Sequence, residues 1–232
     1  MIEKVGIAII TYNSPDDARA CVESVDRHTT AGYSLLLDNS QDFRTGAWAI
    51  GLPHWTYIRS PYNAGTCVAR NRIAEWMIAH HRDHWVVLDQ DVRVTATGWL
   101  DDMLAVFQKY PDTGVVSWAC INEQMSHAAM DLTDAVPEVA GACWMVSAAC
   151  VKAVGGWCPK VLYHRFEDSA FCFEAAAKGF KTRLITGAQK IDNPSPGGGT
   201  GRNPRNVAVR AESDRLFAEV AAKKGWPSFT EK

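Results

Sequence analysis

The chain has 232 residues, 47% of them hydrophobic, and a formal net charge of −2 at pH 7, which argues against a protein that coats nucleic acid or rests on a membrane surface by general basic charge. Seven Cys, an odd number with no CxxC or Cys/His zinc spacing, argue against a disulfide framework and predict reduced, buried thiols in a cytoplasmic protein. No signal peptide precedes Met1-Ile2-Glu3-Lys4 and no apolar run approaches membrane-spanning length, so no transmembrane segment is expected.

Val5 to Thr11 is a short continuous apolar run, the pattern of a buried strand. Ser14-Pro15-Asp16-Asp17 follows as a helix start, with Ser as N-cap, Pro at the first helical position and acids in the first turn. Ala18, Cys21, Val22 and Val25 recur at helical spacing to about His28. Tyr33 to Leu37 reads as a second strand ending in Asp38-Asn39-Ser40, and Trp55 to Arg59 as a third. Asn63-Ala64-Gly65-Thr66 opens a helix running to about His81. Trp85-Val86-Val87-Leu88 is the fourth strand, and it runs straight into Asp89-Gln90-Asp91.

Four strands alternating with helices predict a βαβ series and hence a mostly parallel sheet. The strand ends carry Thr11, Asn13, Asp38, Asn63, Asp89 and Asp91, which would collect at one edge as a nucleotide crevice. Two carboxylates one residue apart at a strand end suit a hard divalent cation with oxygen ligands. Strand alternation would project Asp89 and Asp91 to one side and Gln90 to the other.

The second half is less regular. Gly98 to Tyr110 reads as a helix, Val115 to Ala119 as a strand and 121–138 as a polar connection. Gly141 to Val146 is a strand, Ser147 caps a short helix to Val154, and Tyr163 to Asp168 leads into a helix ending near Lys178. Lys181 to Ile185 is a last short strand, 193–205 a Pro/Gly loop, and Asn206 to Lys224 a C-terminal helix.

In order and spacing, these motifs resemble the GT-A-type glycosyltransferases, specifically the mostly inverting family-2-like group. The matching residues are Thr11-Tyr12-Asn13, Leu37-Asp38-Asn39-Ser40, Asn63-Ala64-Gly65 with Ala69-Arg70-Asn71, Asp89-Gln90-Asp91 as the DxD, Ala140-Gly141-Ala142, and Phe166-Glu167-Asp168 as the xED. The resemblance implies one GT-A domain over 1–232. Its Rossmann-like nucleotide half would span about 1–92, its smaller mixed acceptor half about 93–205, and a C-terminal helix 206–232.

It also implies transfer of a sugar from a nucleoside diphosphate, a UDP-sugar being the first choice, to an acceptor hydroxyl with inversion. Asp91, with Asp89, would hold Mn²⁺ or Mg²⁺. Asp168 would be the base, with Glu167 orienting it or binding acceptor hydroxyls. Thr11, Tyr12, Asn13, Asp38, Asn63, Gly65, Arg70 and Gln90 would line the donor site, Arg70 pairing either with phosphate or with a strand-edge carboxylate. Trp144 and His164 are candidates for contact with the acceptor, a glycan or another hydroxyl-bearing molecule, a modified nucleic-acid base remaining open.

Many relatives place a further His metal ligand where this chain reads Lys190-Ile191-Asp192-Asn193; Asp192 could stand in, or the position could go unused. The Gly197–Gly201 run with Arg202 and Arg205 would suit a lid over the diphosphate. His80, His81 and His84 read as a solvated helix end rather than a metal cluster. Two other readings are a sugar-phosphate nucleotidyltransferase, against which stands the lack of a GxGTRL-type loop after the first strand, and a non-catalytic nucleotide-sugar or glycan-binding module. The oligomeric state is not legible.

Overall fold

A computed structural model describes residues 5–29, 33–118, 135–136, 138–157, 166–186, 190–194 and 204–226. Its centre is an eight-stranded sheet. The first half supplies β1 (Val5–Thr11), β2 (Ser34–Asp38), β3 (Trp55–Arg59) and β4 (His84–Asp89), in spatial order β3-β2-β1-β4 and all parallel. Helices α1 (Pro15–His28) and α3 (Gly65–Ala79) make the crossovers, as the alternating pattern predicts, with a short α2 (Gly46–Ala49) between β2 and β3. Ser14 precedes α1, but its hydroxyl donates to Asp17 Oδ2 at 2.6 Å instead of capping a backbone N–H.

The second half extends the sheet differently. A two-residue β5 (Arg93–Val94), α4 (Trp99–Lys109) and β6 (Thr113–Trp118) follow, then β7 (Ala135–Val136), β8 (Cys143–Ser147), α5 (Ala148–Val154), α6 (Glu167–Ala177), β9 (Lys181–Ile185), β10 (Ile191–Asp192) and α7 (Pro204–Lys224). β8 inserts between β4 and β6, antiparallel to both, and β6 pairs parallel with β9. The β4/β8 register pairs Leu88 with Cys143. An antiparallel neighbour thus brings residues 141–142, the turn leading into β8, beside the end of β4. That is the placement on which the site depends.

Both sheet faces are covered. Period-two alternation sends Trp85, Val87, Trp144 and Val146 into one core with residues of α3, α5, α6 and α7, and Val86, Leu88, Cys143 and Met145 into the other with residues of α1 and α4. Cys21, Cys67, Cys143, Cys150 and Cys172 are unbridged and buried within these layers. Among the described residues no helix is long and apolar enough to cross a membrane.

Candidate active site

The carboxyl edge of β4 ends in a tight turn: Val92 N–H donates to Asp89 O at 3.1 Å. Asp91 therefore sits in a turn and not on the strand, so its placement beside Asp89 comes from turn geometry and not from strand alternation. Gln90 does point elsewhere. Its Oε1 accepts from Thr11 Oγ1 at 2.7 Å and from Tyr12 N–H at 2.8 Å, and its Nε2 donates to Tyr12 O at 3.1 Å. Gln90 is thus a latch between the ends of β4 and β1, not a group presented to a donor. The same bonds, with Asn13 N–H donating to Ser40 Oγ at 2.8 Å, engage the amides of Tyr12 and Asn13, two residues expected to line the donor site. Replacing Gln90 with Ala strands the buried Thr11 hydroxyl and Tyr12 N–H, and urea melts should show a loss of about 1–3 kcal/mol.

Asp38 is fully buried. Its Oδ1 accepts from Ser40 N–H and its Oδ2 from the Tyr57 hydroxyl, both at 2.8 Å. The bond to Ser40 N–H closes an Asx-turn, and Tyr57, on the neighbouring strand β3, closes over the carboxylate expected to line the donor site. Asn63 Oδ1 accepts from Gly65 N–H at 3.0 Å, and Gly65 has φ +79°, a conformation that suits a residue without Cβ. This sets the mouth of α3 without presenting a charged group.

The acids of the second half arrive at the start of α6. Phe166 has φ +63°, unusual for a bulky residue, and its ring stacks on Phe217 of α7 with centroids 4.7 Å apart. That packing holds the strained residue from which Glu167 and Asp168 emerge. Asp168 Oδ2 accepts from Gly141 N–H at 2.9 Å and Oδ1 from Ser169 N–H at 2.8 Å. Glu167 Oε1 lies 3.8 Å from Arg70 Nη2. The carboxylate nearest Arg70 is therefore at the start of α6 and not at a strand edge, and at 1% exposure the guanidinium is enclosed.

Asp89 lies within electrostatic reach of Asp91, Glu167 and Asp168, and its N–H donates to Ala142 O at 2.9 Å, next to the Gly141 N–H that holds Asp168. The two acid motifs therefore meet at one sheet edge. Burial first, against Arg70 and with the like charges, pushes the Asp89 carboxyl from 3.8 up to about 8. Burial also raises Asp91, Glu167 and Glu138, a further acid beside Asp168 that accepts from the Ser169 hydroxyl. Because the folded protein holds these protons more tightly than the unfolded chain, their stabilising contribution is complete at low pH and is lost as pH rises towards about 8. Calorimetry in a chelator should show Tm falling between about pH 5 and pH 8 on this account; a flat or rising Tm would contradict it.

The segment after the last long strand approaches the same edge. β10 pairs antiparallel with β5, Asp192 opposite Arg93, and the Lys190–Asp102 ion pair at 2.7 Å helps pin it. Asp192 points out to solvent; the side chain that reaches Asp91 is the buried Asn193. Strand alternation turns Asp192 outward, the arrangement expected if that position goes unused. The Asp89 and Asp91 carboxylates are oxygen donors that fit a hard cation completed by phosphate and water, and the Asn193 side chain hydrogen-bonds to Asp91 and steadies it. Among the described residues no group of three His, Cys, Asp or Glu side chains is placed to hold a metal by itself.

Trp144 is not an acceptor platform. It is fully buried on β8, edge-on to Trp157 and Phe171, with the Arg70 guanidinium 4.5 Å over its ring. β8 lies between two strands, so a side chain at its middle can only enter the core. Trp144→Ala should cost about 3–5 kcal/mol of stability in a denaturant melt. His164 and the 197–202 lid lie outside the described residues. A separate cavity of about 490 Å³, lined by Val5, Leu104, Phe107, Pro111 and Phe180 with His84, opens at the opposite edge of the sheet and contains none of the predicted site residues.

Sequence reasoning missed Glu138 and Asn193. Glu138 stands two residues before the Ala140-Gly141-Ala142 motif with no periodicity to mark it; Asn193 was adjacent to the residue chosen.

No curated protein matches the chain in sequence. Among solved structures, a mannosyltransferase from Pyrobaculum calidifontis in complex with GDP-Man and Mn²⁺ superposes with a TM-score of 0.71 at 18% identity, over 95% of this chain and 64% of that one. GalNAc-T7 with UDP, GalNAc and Mn²⁺ gives 0.69 at 14% identity, over 98% and 52%. TarS (1–349) of S. aureus in complex with UDP-GlcNAc gives 0.61 at 14% identity, over 93% and 71%. The chain thus spans just under two thirds of the mannosyltransferase and about half of GalNAc-T7. These likenesses establish the GT-A fold. The family model described as glycosyl transferase family 2 matches residues 6–132, more than half of the chain, and the chain belongs to that family.

Proposed function

We propose that the protein is a metal-dependent glycosyltransferase that moves a sugar from a nucleoside-diphosphate sugar to an acceptor hydroxyl, with inversion and Asp168 as base. One observation carries this reading: acids from the end of β4 and from the first turn of α6 are tied to the same two residues, Ala142 O accepting from Asp89 N–H and Gly141 N–H donating to Asp168 Oδ2, both at 2.9 Å. Two chemically different tasks need two acid groups. Asp89 and Asp91, the latter steadied by Asn193, would hold Mn²⁺ or Mg²⁺, which would supply charge neutralisation on the departing diphosphate.

Asp168 is poised for the other task. Its two oxygens are oriented by the N–H groups of Gly141 and Ser169, so the carboxylate is fixed before any acceptor arrives. A hydroxyl proton passes to it as the acceptor oxygen attacks the anomeric carbon from the face away from the diphosphate. Glu167, held near Arg70, would orient the acceptor. The neighbours that contain nucleotide sugars or nucleotides with Mn²⁺ support the donor class, and since both GDP and UDP occur among them, a UDP-sugar is retained only as first choice.

A thermal-shift screen of nucleotide sugars with Mn²⁺ and Mg²⁺, followed by assay of nucleoside diphosphate release, tests the proposal. A nucleotide sugar that raises Tm only with metal, and is then consumed, is the expected result. Pyrophosphate release from a nucleoside triphosphate, or no metal-dependent shift with any donor, would overturn it.

A further inference from the structure

We propose that Arg70 is a positioning residue, which from inside the core fixes the Gly141–Ala142 turn and through it sets Asp168 against the end of β4. This rests on the reading of Asp168 as base and of the β4 end as the metal edge.

Three contacts converge on two consecutive residues. Gly141 O accepts from Arg70 Nη2 at 3.2 Å, Gly141 N–H donates to Asp168 Oδ2 at 2.9 Å, and Ala142 O accepts from Asp89 N–H at 2.9 Å. The turn therefore touches the proposed base, the metal-edge strand and the buried guanidinium at once. Arg70 also stands 3.8 Å from Glu167, so one cation holds both the turn and the acid next to the base.

The fit is tight on all sides. A Cβ on Gly141 would lie 2.4 Å from Nη2 and 2.8 Å from Nη1, so the glycine is the space that the guanidinium fills. Trp144 supplies the opposite wall with its ring face. Arg70 Nε and Nη1 are buried without a hydrogen-bond partner, a costly arrangement for stability alone. One nitrogen, Nη2, faces both Gly141 O and Glu167, and the planar guanidinium behind it fills the space against the Trp144 ring. Positional control, and not donor binding, is what this geometry supplies.

The test uses Arg70→Gln, Arg70→Lys, Gly141→Ala and the double variant Gly141→Ala/Arg70→Lys in the full chain. Two quantities are measured: nucleoside diphosphate release from the nucleotide sugar that most stabilises the wild type, and hydrogen exchange at the peptide containing Gly141. Arg70→Gln should lower kcat roughly 100-fold with donor KM changed less than about threefold, because a displaced base slows chemistry and not binding. Gly141→Ala should do the same, and adding Arg70→Lys should restore part of the loss by freeing space beside the new methyl.

Exchange at Gly141 should speed up in Arg70→Gln. A rise in donor KM with kcat unchanged would make Arg70 a donor ligand and overturn the proposal, as would unaltered exchange at Gly141. If the wild type consumes no nucleotide sugar, the transferase reading fails, while the exchange measurement still decides the role of Arg70. If Arg70→Gln does not fold, exchange in Arg70→Lys and the partial recovery in the Gly141→Ala pair decide it.

Discussion

If Asp168 is the base, Asp168→Asn should lower sugar transfer by roughly 10²–10⁴-fold and leave donor binding in place. The amide is nearly the shape of the carboxylate. Its oxygen can still accept from Gly141 or from Ser169, so the first turn of α6 keeps most of its anchoring. What disappears is the capacity to take a proton. Binding of the nucleotide sugar, measured by titration with metal present, should therefore match the wild type while turnover collapses. Loss of binding and turnover together would instead make Asp168 a donor contact or a structural pillar. Turnover that survives above a tenth of wild type would remove it from the chemistry.

Asp91→Ala should have an effect of similar size by a different route. Metal stabilisation of a leaving diphosphate is worth several kcal/mol, so turnover should fall roughly 10²–10⁴-fold. Asp91 is partly exposed, and its carboxyl is raised by burial, which means that the unliganded fold gains nothing from the charge. The variant should accordingly melt at or slightly above the wild-type temperature in a chelator. Only the metal-induced rise in Tm should vanish. A variant that retains both the Mn²⁺-induced shift and full activity would refute the metal role of this carboxylate.

How much of this was legible in the sequence divides at about residue 92. β1 to β4 and the helices between them follow from local signals: short β-branched runs, Pro15 at a helix start, Gly65 at another. Parallel pairing follows from the alternation of strand and helix. The insertion of β8 does not, since an antiparallel strand placed between β4 and β6 is a non-local pairing that no period in the sequence records.

Side-chain roles divide the same way. The acids were legible as acids, and Gln90 as pointing away from them. Tyr57 over Asp38 was not, because the two residues meet only across neighbouring strands. Nor was Trp144 as core, since its burial follows from the position of β8 in the sheet. Asn193 in place of Asp192 turns on a two-residue ladder whose register the sequence does not announce.

The central claim is that metal-binding acids and a proton-accepting acid face one another across a single donor site at the carboxyl edge of β4. A crystal structure of the full chain soaked with Mn²⁺ and UDP, with the metal located by anomalous scattering, tests it most directly. The account predicts Mn²⁺ between Asp91 and the diphosphate, with the Asp168 carboxylate facing the same space. Mn²⁺ and nucleotide bound elsewhere, for instance in the apolar cavity beside His84 at the other edge of the sheet, would contradict it.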